Sequence, residues 1–166
     1  MDKDLKSLVI YYSLEGNTEF IAKKIAEEVN ADLLHLQLKK DLNPNSFTKY
    51  IIGGKQVLFK QKPELKPYDI DPNEYDFIFI GSPVWAGKYV SAFNTFFNET
   101  NLSNKKIALF CCYKGQSGKT FSEFRQSLID NIIMGEMEFK SPFELNKKIN
   151  EKRVKRWAKE LISKKG

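Results

Sequence analysis

Residues 13–18, Ser13-Leu14-Glu15-Gly16-Asn17-Thr18, gather hydroxyls, an amide and a glycine between an apolar run and an amphipathic one. That set suits a phosphate. A helix N-terminus offers backbone N–H groups without intrahelical partners and the positive end of a dipole. Gly16 lets the backbone approach closely, and Ser13, Asn17 and Thr18 add hydrogen-bonding side chains. The turn contains no Lys or Arg, so dipoles and hydrogen bonds would meet the charge. About four charge-assisted bonds at roughly 1.5–3 kcal/mol each give about 6–12 kcal/mol before ordering costs. The pattern is neither G-x-x-x-x-G-K-[ST] nor G-x-G-x-x-G. Ser, Asn and Thr also favour helix caps, so the turn alone leaves a plain capped helix open.

Two more turns bear on the choice. "SPVWAGKYV" (82–90) carries Trp85 and Tyr89 on a loop rather than on an apolar stripe, and large exposed aromatics are uncommon unless something covers them. "YKGQSGK" (113–119) supplies Tyr113, Gly115, Ser117 and Gly118, small or aromatic groups able to line the edge of a flat ligand. One phosphate turn with two aromatic- and glycine-bearing loops suits a phosphorylated planar ring, flavin mononucleotide (FMN).

The elements that must position these turns read as follows. Strands are expected at 7–12, 31–38, 75–81, 105–113 and 136–145, and helices at 18–29, 91–99, 120–133 and 149–164, from apolar runs and helical stripes such as Ile21, Ile25 and Val29. Residues 41–74 form a long connector that contains a helix broken at Gly53-Gly54 and a Pro- and charge-rich stretch. The order predicts an α/β fold, a doubly wound five-stranded parallel sheet with helices on both faces, in one domain over 1–166. The three turns then open at the carboxyl edge of the sheet, where such folds bind ligands.

Composition narrows the function classes. No run is long enough to span a bilayer, and no signal peptide is read. The adjacent Cys111 and Cys112 fit neither a relaxed disulfide nor a metal-ligand spacing, which points to the cytoplasm. His35, the one histidine, is expected to be structural. The net charge of +6 is local: residues 145–166 hold 9 basic and 2 acidic side chains, and the other 144 residues hold 18 and 19. That makes the last helix basic (147–165), either a solvated face or a dock for an acidic partner. Nucleic-acid binding would want aromatic or motif support, and only Trp157 lies near the patch.

With "SLEGNT", "YDFIFIGSPVWAG" and "KKIALFCCYKGQSG" in this order, the sequence resembles the flavodoxin family over essentially its whole length. The resemblance implies strand order 2-1-3-4-5, non-covalent FMN and single-electron transfer between redox partner proteins. It puts the phosphate at Ser13, Glu15, Gly16, Asn17 and Thr18. The ring falls between Pro83, Val84, Trp85, Ala86 and Gly87 on one side and Tyr113, Gly115 and Gly118 on the other. It further implies a backbone carbonyl offered to ring nitrogen N5, for which the Ala86–Gly87 peptide is the candidate. Family carriers are usually strongly acidic; here Lys88 and Lys114 sit in the ring-side loops and are expected to make the reduction potential less negative. Two other readings stay open. One is an FMN-dependent NAD(P)H reductase of quinones or similar acceptors. The other is a flavin-free signalling module, although "VIYYS" lacks the paired carboxylates of a Mg²⁺-binding receiver.

Overall fold

The computed structural model describes residues 4–41, 52, 54–55 and 60–164. The strands are β1 (Ser7–Tyr11), β2 (Asp32–His35), β3 (Phe77–Trp85), β4 (Lys88–Tyr89), β5 (Lys106–Tyr113) and β6 (Ile132–Lys140); the α-helices are α1 (Asn17–Val29), α2 (Ala92–Glu99), α3 (Thr120–Ser127) and α4 (Lys147–Ser163). The main sheet runs β2-β1-β3-β5-β6 with every pairing parallel. The sheet has six strands rather than five, because β4 adds antiparallel to the end of β3.

Period-two alternation divides the strands between two cores. Leu8, Ile10, Ile78, Ile80, Ile107 and Leu109 pack with Phe93, Phe96 and Phe124 of α2 and α3. Val9, Tyr11, Phe77, Phe79, Ala108 and Phe110 pack with Ile21, Ile25, Val154 and Ala158 of α1 and α4. Burial on both sides explains the near-continuous apolar strands. Each fully buried Ile, Leu or Phe contributes about 1.5–3 kcal/mol.

Several elements depart from the sequence reading. Residues 82–85 extend β3, and Ala86-Gly87 turn the chain into β4, so 82–90 is a hairpin and not a loop. The buried Ser82 hydroxyl clasps its base, accepting from the Val90 N–H at 3.0 Å and donating to the Pro83 carbonyl at 2.7 Å. Helix α3 stops at Ser127 rather than 133, and β6 starts at Ile132 rather than 136. Asn131 holds that break, accepting from Lys105 N–H at 3.1 Å and donating to the Leu102 carbonyl at 2.8 Å. Strand β2 ends at His35, and beyond it Leu38 makes a single bridge to Leu65. The expected helix around Gly53-Gly54 lies largely outside the described residues.

His35 is half-buried, stacked on Tyr11 at 4.6 Å between ring centroids, and burial lowers its pKa. Cys111 and Cys112 are free and buried. Among the described residues no helix is long and apolar enough to cross a membrane, and no His, Cys, Asp and Glu cluster could hold a metal ion.

Candidate functional site

The switch in strand order falls at β1, whose neighbours β2 and β3 are reached by connections leaving in opposite directions. At its carboxyl edge lies a cavity of about 390 Å³. All three turns reach it: Ser13, Glu15, Asn17 and Thr18 from the first, Pro83, Val84, Trp85, Ala86 and Gly87 from the second, and Tyr113 and Gly115 from the third.

The first turn is built around Gly16, the N-cap of α1, whose φ of 96° favours glycine. No side chain caps the helix; its first bond runs from Phe20 N–H to the Gly16 carbonyl at 3.0 Å. The N–H groups of Asn17, Thr18 and Glu19 therefore precede the intrahelical ladder. The plain side-chain cap that the turn left open is not formed. Ser13 Oγ accepts from the Gly16 N–H at 3.2 Å and closes the turn. Asn17 Oδ1 accepts from the Phe143 N–H at 3.0 Å, which leaves its NH₂ end to donate elsewhere. Thr18 is buried, and among the described residues its Oγ1 has no oxygen or nitrogen hydrogen-bond partner. The polar neighbour of that hydroxyl is the Cys112 thiol, a weak partner; burial pushes the thiol up to about 12, and Thr18 offsets only part of this. A buried hydroxyl left unmatched costs about 1–3 kcal/mol, so such a donor on a residue that lines the cavity, beside an uncapped helix end, fits a phosphate.

The second and third turns interlock. Ala86 and Gly87 both have positive φ, 49° and 72°, as a two-residue type I′ turn requires. The Gly87 carbonyl accepts from the Lys119 N–H at 2.7 Å. Gly118, with φ 58°, lies against Gly87 behind the cavity wall and does not line it. Gly16 likewise shapes its turn without lining the cavity. Trp85 is half-buried, edge-on to Tyr12 at 5.7 Å, with its indole on the cavity. Tyr12 is itself buried, and its hydroxyl donates to Asp41 at 2.6 Å.

Two expectations need correction. Tyr89 offers no platform for a ring: it stacks on Phe124 at 4.5 Å, touches Phe93 and Phe97, and bonds Ser127 at 2.9 Å. The ring-side lysines are also paired. Lys88 meets Glu123 at 3.3 Å, and Lys114 meets Glu15 at 2.9 Å. Each carboxylate offsets the charge credited to its lysine, so the expected rise in potential loses its basis. The second pair also ties the first turn to the third.

The sequence reading did not count Leu14, Gly54, Cys112 or Gln116 as lining residues, and it took Lys114 only as a charge in a ring-side loop. Gln116 lay between the glycines of a turn already singled out. Gly54 carried no local signal, since it reaches the cavity from the long connector.

A family model described as flavodoxin matches residues 6–161. The "Flavodoxin-like domain-containing protein BilS" of Clostridioides difficile (strain CD3) is 35% identical over 137 residues, 79% of this chain and 63% of its own length. The chain therefore spans less than two thirds of that curated relative. A flavoprotein of Lactobacillus acidophilus NCFM, crystallised with FMN, superposes with TM-score 0.70 at 26% identity, covering 86% of this chain and 97% of that one. A Bacteroides eggerthii DSM 20697 protein superposes with TM-score 0.77 at 22% identity, covering 96% and 99%, a likeness of fold. With a matching model over nearly its full length and the sheet order to go with it, the chain belongs to the flavodoxin family.

Proposed function

We propose that this chain binds FMN and carries electrons singly between redox partner proteins. The observation that carries the reading is the cavity at the β1 switch point, which Thr18 at the uncapped end of α1 lines together with Trp85 and Tyr113. Bound there, FMN supplies a ring that takes up and releases electrons. Ser13, Asn17 and Thr18, with the first N–H groups of α1, hold the phosphate. Pro83, Val84, Trp85, Ala86 and Gly87 line the cavity with Tyr113 and Gly115 and would exclude water from a ring held there. The resident cofactor of the family and the FMN of the Lactobacillus relative support the assignment.

One observation favours a second reading. Gly54, from the long connector, lines the cavity, so the connector can shape a pocket for a nicotinamide or quinone, and the protein would then be an FMN-dependent reductase. The test is incubation of FMN-loaded protein with NADH or NADPH and a quinone. Steady nucleotide consumption by the protein alone would establish the reductase. Reduction only through a separate electron donor would establish the carrier.

A further inference from the structure

We propose that the outer face of α4, with the apolar corner at its N-terminal end, docks an acidic redox protein. This rests on the carrier reading above and names the chemistry of the partner.

Lys148, Lys152, Arg156 and Lys159 recur at helical spacing and are exposed. They lie opposite the stripe of Asn150, Val154, Ala158 and Leu161 that α4 buries. The other cations of this helix are engaged. Lys155 meets Glu27 at 3.5 Å and Glu151 at 3.4 Å. Arg153 bonds Asn150 and lies over the Phe139 ring, and Lys147 lies 4.2 Å from the Phe143 ring centre. Among the described residues, no carboxylate pairs with the four that face outward. Their charge is therefore available to a partner.

The stripe ends at an apolar corner. Phe143, Leu145 and Ile149 are 49%, 47% and 58% exposed. The corner adjoins the cavity, since Phe143 N–H donates to Asn17 of the phosphate turn and its ring packs edge-on against Phe20 of α1. A protein docked there would sit beside the cofactor site.

The arrangement favours a protein over other polyanions. Protein interfaces combine an apolar centre with a charged rim, and here the apolar residues stand at one end of a cationic stripe. A membrane-surface helix needs an apolar face along its length, but the apolar face of α4 is spent on the sheet. Single-stranded nucleic acid wants aromatic stacking along a basic groove, and the stripe itself has none. Charge complementarity of this kind raises the encounter rate and weakens with salt.

The experiment uses FMN-loaded protein and three probes: a strongly acidic iron–sulfur electron carrier, a basic haem electron carrier, and vesicles of phosphatidylglycerol and phosphatidylcholine. Binding is measured by calorimetry, which does not depend on flavin chemistry. The acidic carrier is expected to bind, and to bind about tenfold more weakly as salt rises from about 50 to about 200 mM. The Lys148→Glu/Lys152→Glu/Arg156→Glu variant should lose at least about tenfold in affinity for it and gain for the basic carrier, with its FMN spectrum unchanged. Ile149→Ser should weaken binding without altering the salt dependence. Equal binding of the acidic carrier by the charge-reversed variant would overturn the proposal. So would vesicle binding that the variant loses, which would make the face a membrane surface. Failure to hold FMN would instead sink the functional reading, and the flavin spectrum reports it separately.

Discussion

Gly118 sits so close to Gly87 that a Cβ built on it would lie 2.6 Å from the Gly87 carbonyl oxygen and 2.7 Å from its Cα. Both contacts are to backbone, so no side chain can move aside. The hairpin tip and the third turn thus form one wall, fixed by this contact and by the Lys119 N–H to Gly87 carbonyl bond.

Gly118→Ala should therefore separate the two turns. The substitution adds a clash to the cost of a left-handed alanine, about 1–2 kcal/mol. We expect a loss of about 2 kcal/mol in urea unfolding and FMN affinity lower by about tenfold or more. Gly115→Ala is the control: a Cβ there meets nothing within 4 Å. Its unfolding midpoint should match the parent, and an equal loss in both variants would refute the interlock.

Thr18→Val probes the phosphate end. The valine keeps the shape and removes a buried hydroxyl whose one polar neighbour among the described residues is the weakly bonding Cys112 thiol. The FMN-free protein should be as stable as the parent or more so, by up to about 1 kcal/mol. FMN affinity should fall by about tenfold or more, the loss of one bond to a charged group. Riboflavin, which has the ring and no phosphate, should bind both proteins alike. Unchanged FMN affinity would show that the hydroxyl does not serve the phosphate.

The lysine–glutamate pairs predict a shift for a single change and almost none for the double. Glu15→Gln removes the carboxylate that offsets Lys114 and should raise the reduction potential by some tens of millivolts, since one negative charge fewer near the ring stabilises its reduced, more negative form. Glu15→Gln/Lys114→Gln should return it close to the parent value. Spectroelectrochemistry measures both, and a double variant that moved as far as the single would contradict the pairing.

The strands and the three turns at the cavity were legible because they depend on local chemistry, whereas the order of the sheet came from the family resemblance. Apolar runs such as "FIFIG" mark strands covered on both faces, and "SLEGNT" marks a helix start that needs an unusual turn. What the sequence hid depended on distant contacts. Ala86 stands where type I′ turns prefer Asn, Asp or Gly, so nothing announced the hairpin. Ile132 continues the helical spacing of Phe124 and Leu128, yet Asn131 bonds back to Leu102 and Lys105 and diverts it into β6. Tyr89 read as an exposed aromatic because Phe93, Phe97 and Phe124, which cover it, come from other elements. The partners of Lys88 and Lys114 likewise lie on other segments.

Stability should fall on both sides of a neutral plateau. Burial raises the Cys112 thiol from 9.0 to about 12 and the Tyr11 and Tyr75 hydroxyls from 10.0 to about 12. The unfolded chain ionises first, so this contribution is complete below about pH 9 and is lost as the pH rises towards 12. Burial lowers His35 below 6.5. Its contribution is complete above that value and is lost as the pH falls through the lower folded one. Urea midpoints across this range should show the plateau, and Cys112→Ala should soften the alkaline fall.

The most direct test of the central claim is the visible spectrum of the purified protein after FMN is added and the excess removed, followed by slow anaerobic reduction. The account predicts that the flavin bands stay with the protein, that they are lost or weakened in Thr18→Val, and that reduction proceeds in two separate one-electron steps. A protein that retains no flavin would contradict it, leaving the 13–18 turn as a helix start that holds some other phosphate or none.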